Sequence, residues 1–205
     1  MKTRSKVLSL VLAGTLIVSA GMFGTLAYLT DTAEVKNEFT VGKVEITLDE
    51  ADVNPDGTYV TDENSRVTAN DYKLMPGKTY IKDPVVHVAD DSENSYLFVK
   101  MENGIAAIEG EESVVEQMEA KGWVKVNGTE NIYVYTQGGT LAVVEAGEDV
   151  DVFEEFTILG TVDNETLSEY TGKTITVTAY AIQADGFEEQ NAEQIWAAAG
   201  FDATE

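Results

Sequence analysis

The sequence predicts a mainly β protein, an antiparallel β-sandwich or jelly roll with two short helices at its periphery. Three observations carry this. Apolar and polar residues alternate in segment after segment. Those segments are rich in β-branched and aromatic residues. Between them, at near-regular spacing, lie turns built from Gly, Pro, Asn and Asp.

Taken in order, "KVEITL" alternates Val44, Ile46 and Leu48 against charged or Thr positions. "MPGKTYIKDPVV" is a Pro-Gly turn feeding a strand in which Pro84 has no N–H for a ladder and belongs at an edge or a strand start. "SYLFVKM" places Tyr96 and Phe98 on one face and Leu97, Val99 and Met101 on the other. "NIYVYT", "TLAVVEA", "VDVFEEFTI" and "KTITVTAYAI" repeat the two-residue period. "NPDG", "DDSEN", "NGT", "QGG" and "EAGED" supply the turns. Two islands change period. "EESVVEQMEAKG" carries Val114, Val115 and Met118 at helical spacing and ends on Gly122. "NAEQIWAAAG" starts from an Asn191 cap, presents Ile195 and Trp196, and ends on Gly200. No linker or internal repeat divides residues 41–205, which are expected to form one domain.

Composition narrows the function classes. The chain has 205 residues, no Cys, one His and a formal net charge of −24, with 43% apolar residues. That apolar content separates it from acidic disordered tails and predicts a folded core. No basic footprint exists for nucleic-acid phosphates or anionic lipid, whereas strong negative charge favours solubility and cation binding. The lack of Cys fits an exported protein that does not rely on disulfides, as is common outside Gram-positive cells, although it does not by itself fix a compartment.

The N-terminus reads as a signal peptide. "MKTRSK" is basic, the apolar stretch 7–29 follows, and its Gly, Ser and Thr content with no cationic stop-transfer cluster favours cleavage over an uncleaved anchor. Two small-x-small sites compete, after Ala20 ("VSA") and after Ala27 ("TLA"); the length of the apolar region alone favours Ala20. Removal of residues 1–27 leaves 10 basic against 37 acidic side chains, a net of −27.

Candidate chemistry is sparse. In "DVNPDGTYVTDE", Asp52, Asn54, Asp56, Gly57 and Glu63 match positions of an EF-hand Ca²⁺ loop. A strand leads in where a helix is needed, Pro55 stiffens the loop and Val60 takes a polar position. A hairpin with a type I "NPDG" turn and Gly57 in the left-handed region is the preferred reading, with a weak Ca²⁺ loop as the alternative. His87, the only histidine, lies in a strand pattern. Without Cys or a second His it builds neither an HExxH site nor an ordinary zinc set, and no Ser occupies a nucleophile elbow. Paired carboxylates are too numerous to mark a site. Tyr80, Tyr96, Tyr133, Tyr135, Tyr170, Tyr180, Trp123 and Trp196 fit core and cross-strand packing better than sugar stacking. No catalytic residue and no cofactor beyond weak Ca²⁺ is expected.

Several segments together resemble the TasA/camelysin family of exported matrix proteins, which a SipW-type signal peptidase processes. They are "GTLAYLTDT", "FTVGKVEITLDE", "LMPGKTYIKDPVVHV", "SYLFVKME", "GWVKVNGTENIYVY" and "VTAYAIQADGF…AEQIW", in order along nearly the whole mature chain. The resemblance implies a secreted, jelly-roll-like antiparallel β-sandwich that assembles into fibres of the biofilm matrix, on the surface or in the surroundings of a Gram-positive bacterium. It moves the expected cleavage to Ala27, so that the mature chain begins at Tyr28. It implies that residues 28–40 insert into the next subunit as a donor strand. The partners would be copies of the same chain, other matrix proteins and, during export, the signal peptidase; no membrane anchor would remain after cleavage. Some relatives have been called metalloproteases, an activity the residues here do not support.

The residues speak for assembly without the resemblance. "YLTDTAEVKNEFTV" carries Tyr28, Leu29, Val35 and Phe39 in an otherwise polar leader with nowhere obvious to bury them. Added to a neighbour's open edge, such a segment gains main-chain hydrogen bonds and side-chain pockets. A frayed terminus or an intramolecular edge strand is the alternative. Two other readings stay open: a monomeric cell-surface adhesin, lectin-like or Ca²⁺-dependent, and last a secreted metalloprotease.

Overall fold

The computed structural model describes residues 42–62 and 64–200. Within them the chain is mainly β, and every strand pairing is antiparallel. Strands β1 (Ile46–Ala51), β2 (Arg66–Val67), β4 (Val85–Val88) and β9 (Asp149–Asp151) form a sheet ordered β2-β1-β4-β9. A second sheet runs β11-β5-β7-β6, with β5 (Ser95–Asn103), β6 (Trp123–Lys125), β7 (Ile132–Gln137) and β11 (Ile175–Gln183). The short β8 (Thr140–Leu141) adds to β7. A ribbon of β3 (Thr79–Ile81) and β10 (Glu155–Thr157) lies beside them.

The period-two pattern does the sorting. On β1 and β4, Ile46, Leu48, Val86 and Val88 enter the main core, while Thr47, Asp49 and His87 point to the other face. Strand β5 is buried on both sides, as its alternation predicts. Leu97, Val99 and Met101 join the main core, and Tyr96 and Phe98 form a second cluster with Val134, Ile182, Ile195 and Trp196. That second cluster exists because helix α3 (Ala192–Ala199) covers the outer face. Asn191 and Gln194 close its capping box and Gly200 ends it at φ 68°. Helix α1 (Val114–Ala120) is likewise boxed by Ser113 and Glu116 and sinks Val114 and Met118 into the main core. After it the chain turns at Gly122 (φ 96°), where a Cβ would lie 2.4 Å from the Thr136 carbonyl oxygen, so only glycine fits.

Three departures from the sequence reading have physical causes. A third helix, α2 (Asn164–Ser168), forms where Asp163 caps the Thr166 N–H; it buries no residue completely, so no apolar period marked it. "TLAVVEA" is a strand only at Thr140–Leu141, after which Val144 makes an isolated bridge to Ser95. "VDVFEEFTI" is two strands rather than one. Val152 and Phe153 are adjacent and both fully buried, which breaks the alternation as the chain passes from the first sheet to the ribbon.

One core group is at odds with its surroundings. The Glu109 carboxyl is 7% exposed and its Oε1 has no hydrogen-bond partner. Burial pushes its pKa up, Asn103 opposes this and the charge of Glu116 adds to it. A raised carboxyl pKa means a stability cost present above the folded pKa and relieved as pH falls below it. Glu109→Gln is therefore expected to raise the thermal midpoint at pH 7, by about 1 kcal/mol of stability. The gain should shrink at pH 4, as read by thermal denaturation at both pH values.

Candidate functional site

The order of the strands leaves two edges open among the described residues. Strand β11 is bonded along all nine residues to β5 on one side, from Ile175 opposite Asn103 to Gln183 opposite Ser95. No strand pairs with its other edge among the described residues. Strand β1 has a similar vacancy: Ile46–Asp49 pair with β4, but on the far side β2 reaches only Glu50 and Ala51. These two free stretches, one from each sheet, border the same groove of about 770 Å³.

Apolar side chains make up part of its lining. Leu48 comes from β1, Ile175 and Val177 from β11, and Leu167 and Tyr170 from α2 and the residues after it; Phe156 and Ile105 close the bottom. Leu48, Leu167, Tyr170, Ile175 and Val177 pack on the main core yet are only partly buried. Tyr72 holds the 68–74 side in place. Its hydroxyl donates to the Ile81 carbonyl (2.9 Å), and its ring meets Tyr80 and Phe156 edge-on at 5.8 and 5.1 Å. Burial, with Glu50 and Asp83 nearby, pushes that hydroxyl well above the usual tyrosine range. The rim carries Lys73 and Lys173, neither ion-paired among the described residues of so acidic a chain.

At the β2 end of the groove the lining becomes polar. Lys82 makes an ion pair with Glu50, and Asn70 Nδ2 donates to the other Glu50 oxygen (2.8 Å) and to the Ala51 carbonyl (2.8 Å). On the outer face of the first sheet a separate cluster surrounds His87. Nδ1 lies 2.6 Å from Asp149 Oδ1 and Nε2 lies 3.1 Å from Asp49 Oδ1. Asp49 also accepts from Arg66 Nε (2.7 Å), whose NH1 donates to Asp83 (2.8 Å).

The residues singled out for Ca²⁺ lie elsewhere. Gly57 N–H donates to the Asn54 carbonyl and Gly57 sits at φ 77°, the left-handed position expected of the "NPDG" turn. Asp56 Oδ1 accepts from Thr58 N–H and hydroxyl, and Asn54 Nδ2 donates to Thr58 and Tyr59, while Asp52 bonds through its backbone to Ser65 and Val60. Glu63 lies outside the described residues, as do Ala27, Tyr28, Leu29, Val35 and Phe39 of the expected cleavage junction and donor strand. Among the described residues no three His, Cys, Asp or Glu side chains converge as a metal site requires, and no helix is long and apolar enough to cross a membrane. The groove escaped the sequence reading because its lining comes from six separated segments. The available signal was the half-buried Thr/Val/Ala alternation of "TITVTA". The chain matches no protein-family model, no curated protein and no solved structure.

Burial lowers the pKa of His87, but its bonds to Asp149 and Asp49 outweigh this and raise it above the ordinary histidine value. Stability from the charged pairs is thus complete below the unfolded pKa and lost as pH rises through the folded one. His87→Asn is expected to lower stability by about 0.5 kcal/mol at pH 5.5 and by less at pH 9, as read from denaturant midpoints.

Proposed function

We propose that this chain is a secreted structural subunit of an extracellular matrix fibre, joined head to tail by the leader of one copy lying in the groove of the next. The observation that carries this is the groove itself: free strand edges from both sheets border one trough lined in part by apolar side chains. An added strand there gains main-chain hydrogen bonds on its flank and buries alternate side chains. The leader's chemistry suits that place. Written as a strand, it puts Val35, Phe39 and Val41 on one face, with Glu34, Lys36 and Glu38 on the other. Asp31, Glu34 and Glu38 are complementary to Lys73 and Lys173 of the rim, which form no ion pair among the described residues. Donation from copy to copy is heterologous and has no need to close, so it yields filaments rather than rings. The proposal needs no catalytic step and no cofactor, and places cleavage between Ala27 and Tyr28.

A chain beginning at Tyr28 is expected to form filaments visible by electron microscopy, and one beginning at Phe39 to stay monomeric. Val177→Glu, which puts a charge into the trough, should remain folded but lose both filaments and binding of a synthetic 28–41 peptide. Equal polymerisation of the long and short chains would overturn the proposal.

With a net charge of −27 for the processed chain, copies repel one another until screening over about 8 Å at physiological ionic strength lets them approach. Light scattering should show faster assembly at higher salt, at mildly acidic pH and with divalent cations. Insensitivity to all three would remove charge repulsion as the barrier.

A further inference from the structure

The polar end of the groove holds three side chains in an arrangement that the fibre reading does not use. Glu50 is 4% exposed, and its two oxygens are divided between Lys82 Nζ and Asn70 Nδ2. One carboxylate thus holds an amine-bearing and a carboxamide-bearing side chain side by side, with the Lys82 side chain only 11% exposed. The carboxamide is itself gripped at every polar atom. Its second N–H donates to the Ala51 carbonyl (2.8 Å), and its Oδ1 accepts from the Val53 backbone N–H (3.0 Å).

We propose that Lys82 and Asn70 become joined by an intramolecular isopeptide bond, with Glu50 as the catalytic residue. Transfer of one ammonium proton to Glu50 leaves a neutral amine beside a carboxylic acid, the nucleophile and acid the step requires. Lys82 Nζ attacks Asn70 Cγ, and the negative charge that develops on Oδ1 falls where the Val53 N–H already points. Glu50 delivers a proton to Nδ2, the Cγ–Nδ2 bond breaks, and ammonia leaves. The second proton lost by Nζ passes to Glu50 and on to the departing amine, so the carboxylate is free to take up its starting role. The product is an Nζ–Cγ amide plus one ammonium ion, with Glu50 again a carboxylate; the protein is lighter by one ammonia, and no oxidant or cofactor is consumed. Burial of Glu50 and of the Lys82 side chain limits the access of water to the amine and the acid, which favours attack by the amine over hydrolysis. The bond would tie the 68–74 segment to the residue that follows β3. It would fix one bank of the groove in a chain that has no cysteine for a disulfide.

The purified, folded protein is expected to weigh less than its sequence by one ammonia molecule. Trypsin should fail to cut after Lys82 and should release a branched peptide joining Val67–Lys73 to Thr79–Lys100. Lys82→Arg and Glu50→Gln, checked for folding by circular dichroism, should carry the unaltered mass of their sequences, yield no branched peptide and melt at lower temperature. Wild-type protein of full mass that is cut after Lys82 would overturn the proposal. So would a mass deficit that maps to the Asn103–Gly104 or Asn127–Gly128 steps, where succinimide formation also expels ammonia. Polymerisation does not enter this readout, so it stands or falls apart from the fibre reading.

Discussion

Strand β5 is the element on which the rest of this structure depends, because it is buried on both faces. Leu97, Val99 and Met101 fill the space between the sheets, and Tyr96 and Phe98 fill the space under α3. A strand covered on both faces must be paired on both edges or leave main-chain groups without partners. It is paired with β11 over its full length and with β7 over Phe98–Lys100. Once β5 is central, β11 is pushed to the edge of its sheet. Among the described residues the seam beside β11 then lies open, because β2 covers β1 only at its C-terminal end. The groove is thus a product of sheet order rather than of any one loop.

What the sequence disclosed follows the distance over which each feature is encoded. Strand alternation and helical spacing are written within a few residues, so the double-sided character of "SYLFVKM", the two helices ending at Gly122 and Gly200, and the Asn191 cap were readable. The Gly57 turn was readable for the same reason. Features assembled from distant segments were not. Nothing near Glu50 announces Lys82 or Asn70, and nothing in "TITVTAYAI" states that its far edge has no neighbour among the described residues. The break at Val152 and Phe153 was visible as two adjacent apolar residues, yet without the tertiary context it reads as one continuous strand.

Charge and packing are divided between the surfaces. The acidic excess lies where water screens it, and the basic residues are used sparingly. Arg66 ties Asp49 to Asp83, Lys121 ties Asp151 to Glu154, and Lys82 is spent on Glu50. The Lys121 pairs face water and contribute little, and the nearly buried Lys82–Glu50 pair gives up much of its attraction to desolvation. The stability of the molecule therefore rests on the two apolar clusters and on the uninterrupted β5–β11 ladder.

The passage of the chain from β9 to β10 through buried Val152 and Phe153 also sets the timing of folding. The first sheet takes its β9 edge, and the β3–β10 ribbon its partner, only from residues 149–157, and β5 gains its long neighbour only at 175–183. Loops this long must close before their pairings are rewarded, which makes early collapse to the native state slow. A nascent polypeptide of this design can complete its sheets only when residues 149–183 have emerged, so the last third of the chain decides when the fold closes.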